Sequence, residues 1–311
     1  MGNNLKVSVV LPTYNRARLL KRSIASVLEQ TYRNLELIVV DDCSVDDTMN
    51  VVRSFDDKRI RYIRHKNNRG EAASRNTGIK LAEGKYIASQ DSDDEWVREK
   101  LEKQMKVFEN SPSNLGVVYS GLWKIKGDKK NYIPSGGIKK KEGHVHNELL
   151  KVNFIGTPTT VIKKECFEKV GFFDERLFHL VDWELWIRIS KHYDFKYISE
   201  ALTLVHFTKG SISSSKDALV DARELIFKKH FLEIKEDKKL LAYHAYILGS
   251  EFHKRKDRDR GKQYISQAFL VCPFRIKFLL AFLMSRFAPF GFKFFYELKK
   301  IITLKFNMEN G

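Results

Sequence analysis

Val7-Ser8-Val9-Val10-Leu11-Pro12-Thr13-Tyr14-Asn15 is a short apolar strand that breaks at a proline into a polar turn. The residues after it, Arg16 to Gln30, place Leu20, Ile24, Val27 and Leu28 at helical spacing. Leu35 to Val40 is a second buried strand, and it runs into Asp41-Asp42-Cys43-Ser44. Ser44 reads as a helix cap, with Asp47 three residues on, ahead of Met49 to Phe55. Ile60 to Ile63 gives a third strand, Glu71 to Glu83 a helix and Lys85 to Ser89 a fourth strand. This βαβαβαβ alternation predicts parallel strands, right-handed crossovers and helices on both faces. Ligands of such open sheets bind at the carboxyl ends of the strands. Those ends are Pro12 to Asn15, Asp41 to Ser44 and Gln90 to Trp96.

From Val97 the pattern changes. A helix, Val97 to Glu109, leads to a strand near Val117. A basic, glycine-containing loop is expected from Lys126 to Gly143, then a strand around Thr159 to Ile162 and a helix from about Trp183 to Lys191. This part is expected to pack on the first sheet and complete a site. The resulting division is a catalytic domain 1–215, with halves 1–96 and 97–215, and a helical, basic region 216–311.

The chain has 311 residues, 56 basic and 39 acidic, for a net charge of +17. An apolar content of 43% excludes a disordered chain, and so positive a balance suggests a polyanionic partner. Three widely spaced cysteines fit neither a disulfide framework nor a zinc cluster and point to a reducing compartment. Met1 to Val10 has no signal-peptide pattern, and no apolar run approaches the roughly 18 residues of a spanning helix. A cytoplasmic protein, peripheral at a membrane face, is therefore expected.

Asp91-Ser92-Asp93-Asp94 sits directly after a parallel strand. Carboxylates this close repel one another unless a cation is present, and hard oxygen donors suit Mg²⁺ or Mn²⁺ shared with substrate phosphates. Asp93 or Asp94 fits equally as the cap of the next helix. Asp41-Asp42 reads as a ribose or nucleobase contact or as a turn. Pro12 to Asn15 reads as a base pocket, with Tyr14 stacking, or as an ordinary strand-to-helix turn.

Taken together, these motifs resemble the family 2 glycosyltransferases of GT-A fold. The resemblance runs through Val7–Asn15, Leu37–Ser44, Gly70–Asn76, Tyr86–Ile87 leading into Asp91–Asp94, and Gly171-Phe172-Phe173-Asp174-Glu175 before Asp182-Trp183-Glu184-Leu185-Trp186. It covers about Lys6 to Ser215 and implies a Rossmann-like, mostly parallel sheet. It also implies that Pro12, Thr13, Tyr14, Asn15, Asp42, Arg75, Asp91 and Ser92 bind a nucleotide-sugar, usually of UDP. Asp93, with Asp91, would hold Mn²⁺ or Mg²⁺, and Asp182 would be the general base of an inverting transfer to a glycan or lipid-linked acceptor. Val181 stands where a Glu is usual, and Thr208 where a His often appears, with His206 two positions earlier. Trp186 is read either as lining an acceptor groove or as core.

The region from Lys216 has 20 basic and 11 acidic residues, and Tyr264 to Phe306 holds ten of the 22 Phe. Phe278 to Met284 and Phe290 to Phe295, rimmed by Arg275, Lys277, Arg286, Lys293, Lys299 and Lys300, suit either an anionic membrane interface or packing on a core. Pro273 and Pro289 are expected to divide helices, and Leu240–Lys254 with Arg260–Phe269 to form a helical hairpin. Two rival classes are a basic nucleic-acid-binding protein and an inactive membrane-surface scaffold. Basic clusters without interleaved aromatics in the first 215 residues argue against nucleic acid.

Overall fold

The structure is a computed structural model that describes residues 5–208 and 216–287. The chain divides into two compact units, Met1–Ser214 and Ser215–Gly311. In the first, the elements run β1 (Val7–Thr13), α1 (Ala17–Leu28), β2 (Leu35–Asp41), α2 (Thr48–Arg53), β3 (Ile60–Arg64), α3 (Glu71–Leu81) and β4 (Tyr86–Ser89). They continue through β5 (Glu95–Trp96), α4 (Lys100–Glu109), β6 (Leu115–Lys126), β7 (Lys129–Ile133) and α5 (His146–Leu149). A 3₁₀ turn (Thr157–Thr159), β8 (Thr160–Lys163), α6 (Lys164–Val170), α7 (Val181–Ile189) and β9 (Asp194–His206) complete the unit.

One sheet runs in the order β3-β2-β1-β4-β8-β6-β9-β5, with β7 paired to β6. Its first four strands are parallel, as the Val/Ile-rich runs predict, and β1 and β2 are buried along their whole length. Alternation along β1 sends Val7, Val9 and Leu11 into a core with Leu20, Ile24 and Val27 of α1 and Leu101, Met105 and Phe108 of α4. Val10 points to the other face, where α3 presses on it so closely that a Cβ at Gly78 would lie 2.4 Å from Val10 Cγ1. Helices therefore cover both faces.

This unit differs from expectation in four ways, the first of them in its second half. That half extends the sheet edge to edge, with β8 antiparallel to β4, rather than packing on it. The helix expected from Val97 starts at Lys100, because Glu95 and Trp96 pair with β9 as a short strand. The expected basic loop is a hairpin, with β7 pairing antiparallel to Leu122–Lys126. Ser44 does not cap α2, since its hydroxyl accepts the Asn15 N–H at 2.9 Å.

The second unit contains α8 (Lys216–Lys229), α9 (Phe231–Ile234), α10 (Lys238–Lys254), α11 (Arg258–Val271) and α12 (Ile276–Phe287). Asp237 and Asp257 cap α10 and α11 with their side chains. The α10–α11 hairpin is close-packed, with Gly249 against Ile265 and Phe252 stacked on Tyr264 at 5.8 Å. The run Phe278–Met284 is divided: Phe278 and Ala281 are buried, whereas Leu280 and Leu283 are exposed with Leu270, Phe274 and Ile276. Pro289, Phe290–Phe295, Lys293, Lys299 and Lys300 lie outside the described residues. Among the described residues no helix is long and apolar enough to cross a membrane.

Candidate active site

The carboxyl ends of β1, β2 and β4 meet at one sheet edge. The turn after β1 is tied to the turn after β2. Asn15, in the left-handed region at φ 51, donates its N–H to Ser44 Oγ and accepts the Val45 N–H on Oδ1 at 2.8 Å. Thr13 O accepts the Asp42 N–H at 2.9 Å. Thr13 Oγ1 is buried there with no partner, and Tyr14 is 46% exposed at the rim.

Asp41 and Asp42 are both buried and both engaged. Asp41 accepts the Ser44 N–H at 2.8 Å and the Tyr62 hydroxyl. Asp42 faces His65 Nδ1 at 2.7 Å and accepts the N–H groups of Arg69 and Gly70, at 2.9 Å and 2.7 Å. It thereby fixes the entrance of α3. Gly70 sits at φ +90 in this loop, a conformation that glycine adopts without strain.

Arg75 is buried on α3 beneath the acidic cluster. Its Nη2 bonds Glu71 Oε1 at 2.7 Å and also Asp91 Oδ1, while Nη1 is buried without a partner. Burial pushes the Asp91 carboxyl up to about 6 against the pull of Arg75, and the charges of Glu71 and Asp93 add to the rise. Asp94 is raised well above the usual carboxylate range by burial and by Asp91 and Asp93. Its Oδ1 accepts the His206 N–H at 3.1 Å. Ser92 is buried. The main chain of the cluster is pinned to α1, as Ser23 Oγ donates to Asp91 O at 2.7 Å and Arg22 donates to Asp93 O.

The Asp93 carboxylate has no protein partner among the described residues, and it is partly exposed. His206 Nε2 is likewise without a hydrogen bond, 3.5 Å from Glu95 Oε2. Burial and Arg22 lower the His206 pKa against the opposing charges of Glu95 and Asp93. Among the described residues no three acidic, Cys or His groups converge as a ready-made cage. The donor set nevertheless fits Mg²⁺ or Mn²⁺, which take one or two carboxylates and complete their shell with phosphate and water.

Asp182 lies in the first turn of α7, behind Leu180, which is held left-handed at φ 56. Its Oδ1 accepts the Trp183 N–H at 2.7 Å and Asn153 Nδ2 at 3.2 Å, and its Oδ2 accepts Thr157 Oγ1 at 3.1 Å. Burial raises its pKa and the charge of Glu71 adds to this, while the three hydrogen bonds hold it down. The charge of Glu71, which bonds Arg75, acts on both Asp91 and Asp182, so the two carboxylates lie within electrostatic reach of one residue.

Asn153 and Thr157 were not singled out from the sequence. The run Gly156-Thr157-Pro158-Thr159-Thr160 was the available signal. The Gly171–Glu175 motif is a clamp: Asn76 Nδ2 donates to Phe173 O at 2.9 Å and Asn76 Oδ1 accepts the Phe173 N–H at 3.0 Å. Arg188, paired with buried Glu184 at 2.8 Å, holds the same segment through the carbonyls of Gly171 and Phe172. Trp186 is fully buried and donates to Ile155 O at 3.2 Å, so it is core and lines no groove.

The model of the family described as Glycosyl transferase family 2 matches residues 8–171. The UDP-Glc:alpha-D-GlcNAc-diphosphoundecaprenol beta-1,3-glucosyltransferase WfgD of Escherichia coli is 34% identical over 212 residues, 68% of this chain and 80% of that protein. An uncharacterized glycosyltransferase of Rickettsia conorii is 36% identical over 210 residues, 67% of this chain but only 34% of that longer protein. Staphylococcus aureus TarS, solved with UDP-GlcNAc, superposes with a TM-score of 0.68 at 20% identity, covering 93% of this chain and 89% of that one. The mannosyltransferase PcManGT of Pyrobaculum calidifontis, solved with GDP-Man and Mn²⁺, gives 0.59 at 18% identity, covering 95% and 85%. The fold is GT-A, and the chain belongs to glycosyl transferase family 2.

Proposed function

We propose that this chain is an inverting, metal-assisted transferase that moves a hexosyl group from a UDP-sugar to a hydroxyl of a lipid-linked glycan. The observation that supports the reading is the meeting of the carboxyl ends of β1, β2 and β4 at one sheet edge, where the Asp93 carboxylate has no protein partner among the described residues. The donor's base is assigned to the Pro12–Asn15 turn, with Tyr14 against its face and Thr13 Oγ1 as a free hydrogen-bonding group. Asp42 shapes that pocket through the Arg69–Gly70 amides. Arg75 Nη1 and Ser92 face the ribose and diphosphate. Asp93, aided by Asp91, is the anchor for Mn²⁺ or Mg²⁺, which when bound neutralises the diphosphate leaving group.

Asp182 takes the proton from the acceptor hydroxyl. Oδ2 is the receiving atom, because it accepts one hydrogen bond where Oδ1 accepts two. The acceptor oxygen bonds to the anomeric carbon as the bond to the diphosphate breaks on the opposite face, which inverts that centre. The use of UDP and of a diphospholipid acceptor by WfgD supports the substrate classes, and the Mn²⁺ in PcManGT supports the metal.

The test is UDP release from a UDP-hexose panel with a GlcNAc-diphospholipid acceptor. Turnover that needs Mn²⁺ or Mg²⁺ and disappears in Asp182→Asn is expected. Undiminished turnover in that variant would overturn the assignment of the base.

A further inference from the structure

The β6–β7 hairpin carries a charge that nothing in the site uses. Lys124 to Lys141 contains seven lysines and one acid, Asp128. The strands close on Gly127-Asp128, with Gly127 at φ +55, and set Lys126 directly opposite Lys129. Like charges in that register repel and destabilise a hairpin. No carboxylate relieves them: Lys124, Lys126, Lys129, Lys130, Lys139 and Lys140 are exposed, and none forms an ion pair among the described residues. Alternation puts Lys124, Lys126 and Lys129 on one face. Lys126 Nζ lies 4.6 Å from the ring centre of Phe207, a residue 54% exposed.

The hairpin also has a defined place. Strand β9 lies between β5 and β6, and Ile125 is in register with His206. The lysines therefore stand just beyond the end of β9 that meets Asp94 and Glu95.

We propose that this hairpin seats the catalytic unit on an anionic membrane surface, with its lysines among headgroup phosphates and Phe207 at the headgroup boundary. A set of exposed, unpaired cations with none buried matches a diffuse field of headgroups rather than one bound phosphate. An exposed aromatic ring beside them is the group that inserts at such an interface. The proposal rests on the lipid-linked acceptor reading, since it brings the base to the surface where that acceptor resides.

The test is co-sedimentation of the full chain with vesicles of equimolar phosphatidylglycerol and phosphatidylcholine, or of phosphatidylcholine alone. Binding only to the anionic vesicles is expected, with loss near ~0.5 M salt. The triple variant Lys124→Gln, Lys126→Gln, Lys129→Gln should bind about 100-fold more weakly, taking roughly fivefold per lysine at an anionic surface. Its melting temperature should not fall, because a like-charge pair has been removed. Anionic-vesicle binding that equals wild type in the triple variant would overturn the proposal. So would loss of binding on Arg275→Gln with Lys277→Gln alone, or a wild type that ignores vesicles and binds single-stranded RNA. UDP binding on the same samples tests the donor site separately. Vesicle binding without UDP binding supports the hairpin and counts against the donor reading.

Discussion

Asp182 shows how three neutral donors and one negative neighbour tune a carboxylate. Burial and Glu71 raise its pKa, and Asn153, Thr157 and the Trp183 amide lower it. A base must be ionised to act, so the acid limb of kcat/KM is expected above the ordinary aspartate range, read from a pH–rate profile. Thr157→Val removes a hydrogen bond to the ionised form, so it should move that limb to higher pH, with the donor KM little changed. Asp182→Asn should cost about 10²- to 10⁴-fold in kcat. The linkage sign is that a raised folded pKa favours the fold below the unfolded pKa and is lost as pH rises through the folded one. The neutral amide should therefore leave the melting temperature at pH 7 no lower than wild type. Arg75 predicts a different outcome. Arg75→Ala leaves Glu71 and Asp91 facing each other and should cost about 2–3 kcal/mol in urea unfolding, below the ~3–5 of a fully enclosed pair because both carboxylates reach solvent. Asp91, Asp93 and Asp182 were legible in the sequence because each follows a strand or opens a helix. Asn153 and Thr157 were not, because they meet Asp182 only through contacts spanning 29 and 25 residues.

Among elements, β1 and β2 were legible because both sheet faces are buried there and the strands read as nearly continuous apolar runs. Strand β7 was hidden for the opposite reason. Lys129-Lys130-Asn131-Tyr132-Ile133 is exposed along most of its length, so no apolar alternation marks it. Strand β5 is two residues long and exists only because β9 lies beside it. The helix boundary at Lys100 follows from that pairing rather than from any cap signal. The α3–β1 contact supplies a sharp check on packing. Gly78→Ala would drive a methyl into Val10 and is expected to cost about 1–3 kcal/mol, measured by thermal unfolding.

For the molecule as a whole, the net charge of +17 pointed to a polyanion without saying which segment meets it. Composition is blind to pairing, and pairing separates the lysines of the β6–β7 hairpin from those committed to ion pairs such as Lys103 with Glu200 or Lys196 with Glu142. The same limit applies to the acidic residues. Glu36 is tied to Arg61 within the fold, whereas the Asp93 carboxylate has no protein partner among the described residues. Asp93 is therefore the residue proposed to couple nucleotide binding to a divalent cation.

The most direct measurement is calorimetric titration of UDP, with GDP and CDP as controls, with and without Mn²⁺, on wild type and Asp93→Asn. UDP binding that requires Mn²⁺ and vanishes in Asp93→Asn is the predicted result. Absence of nucleotide binding by the wild type, or UDP binding that is the same in Asp93→Asn, would contradict the account.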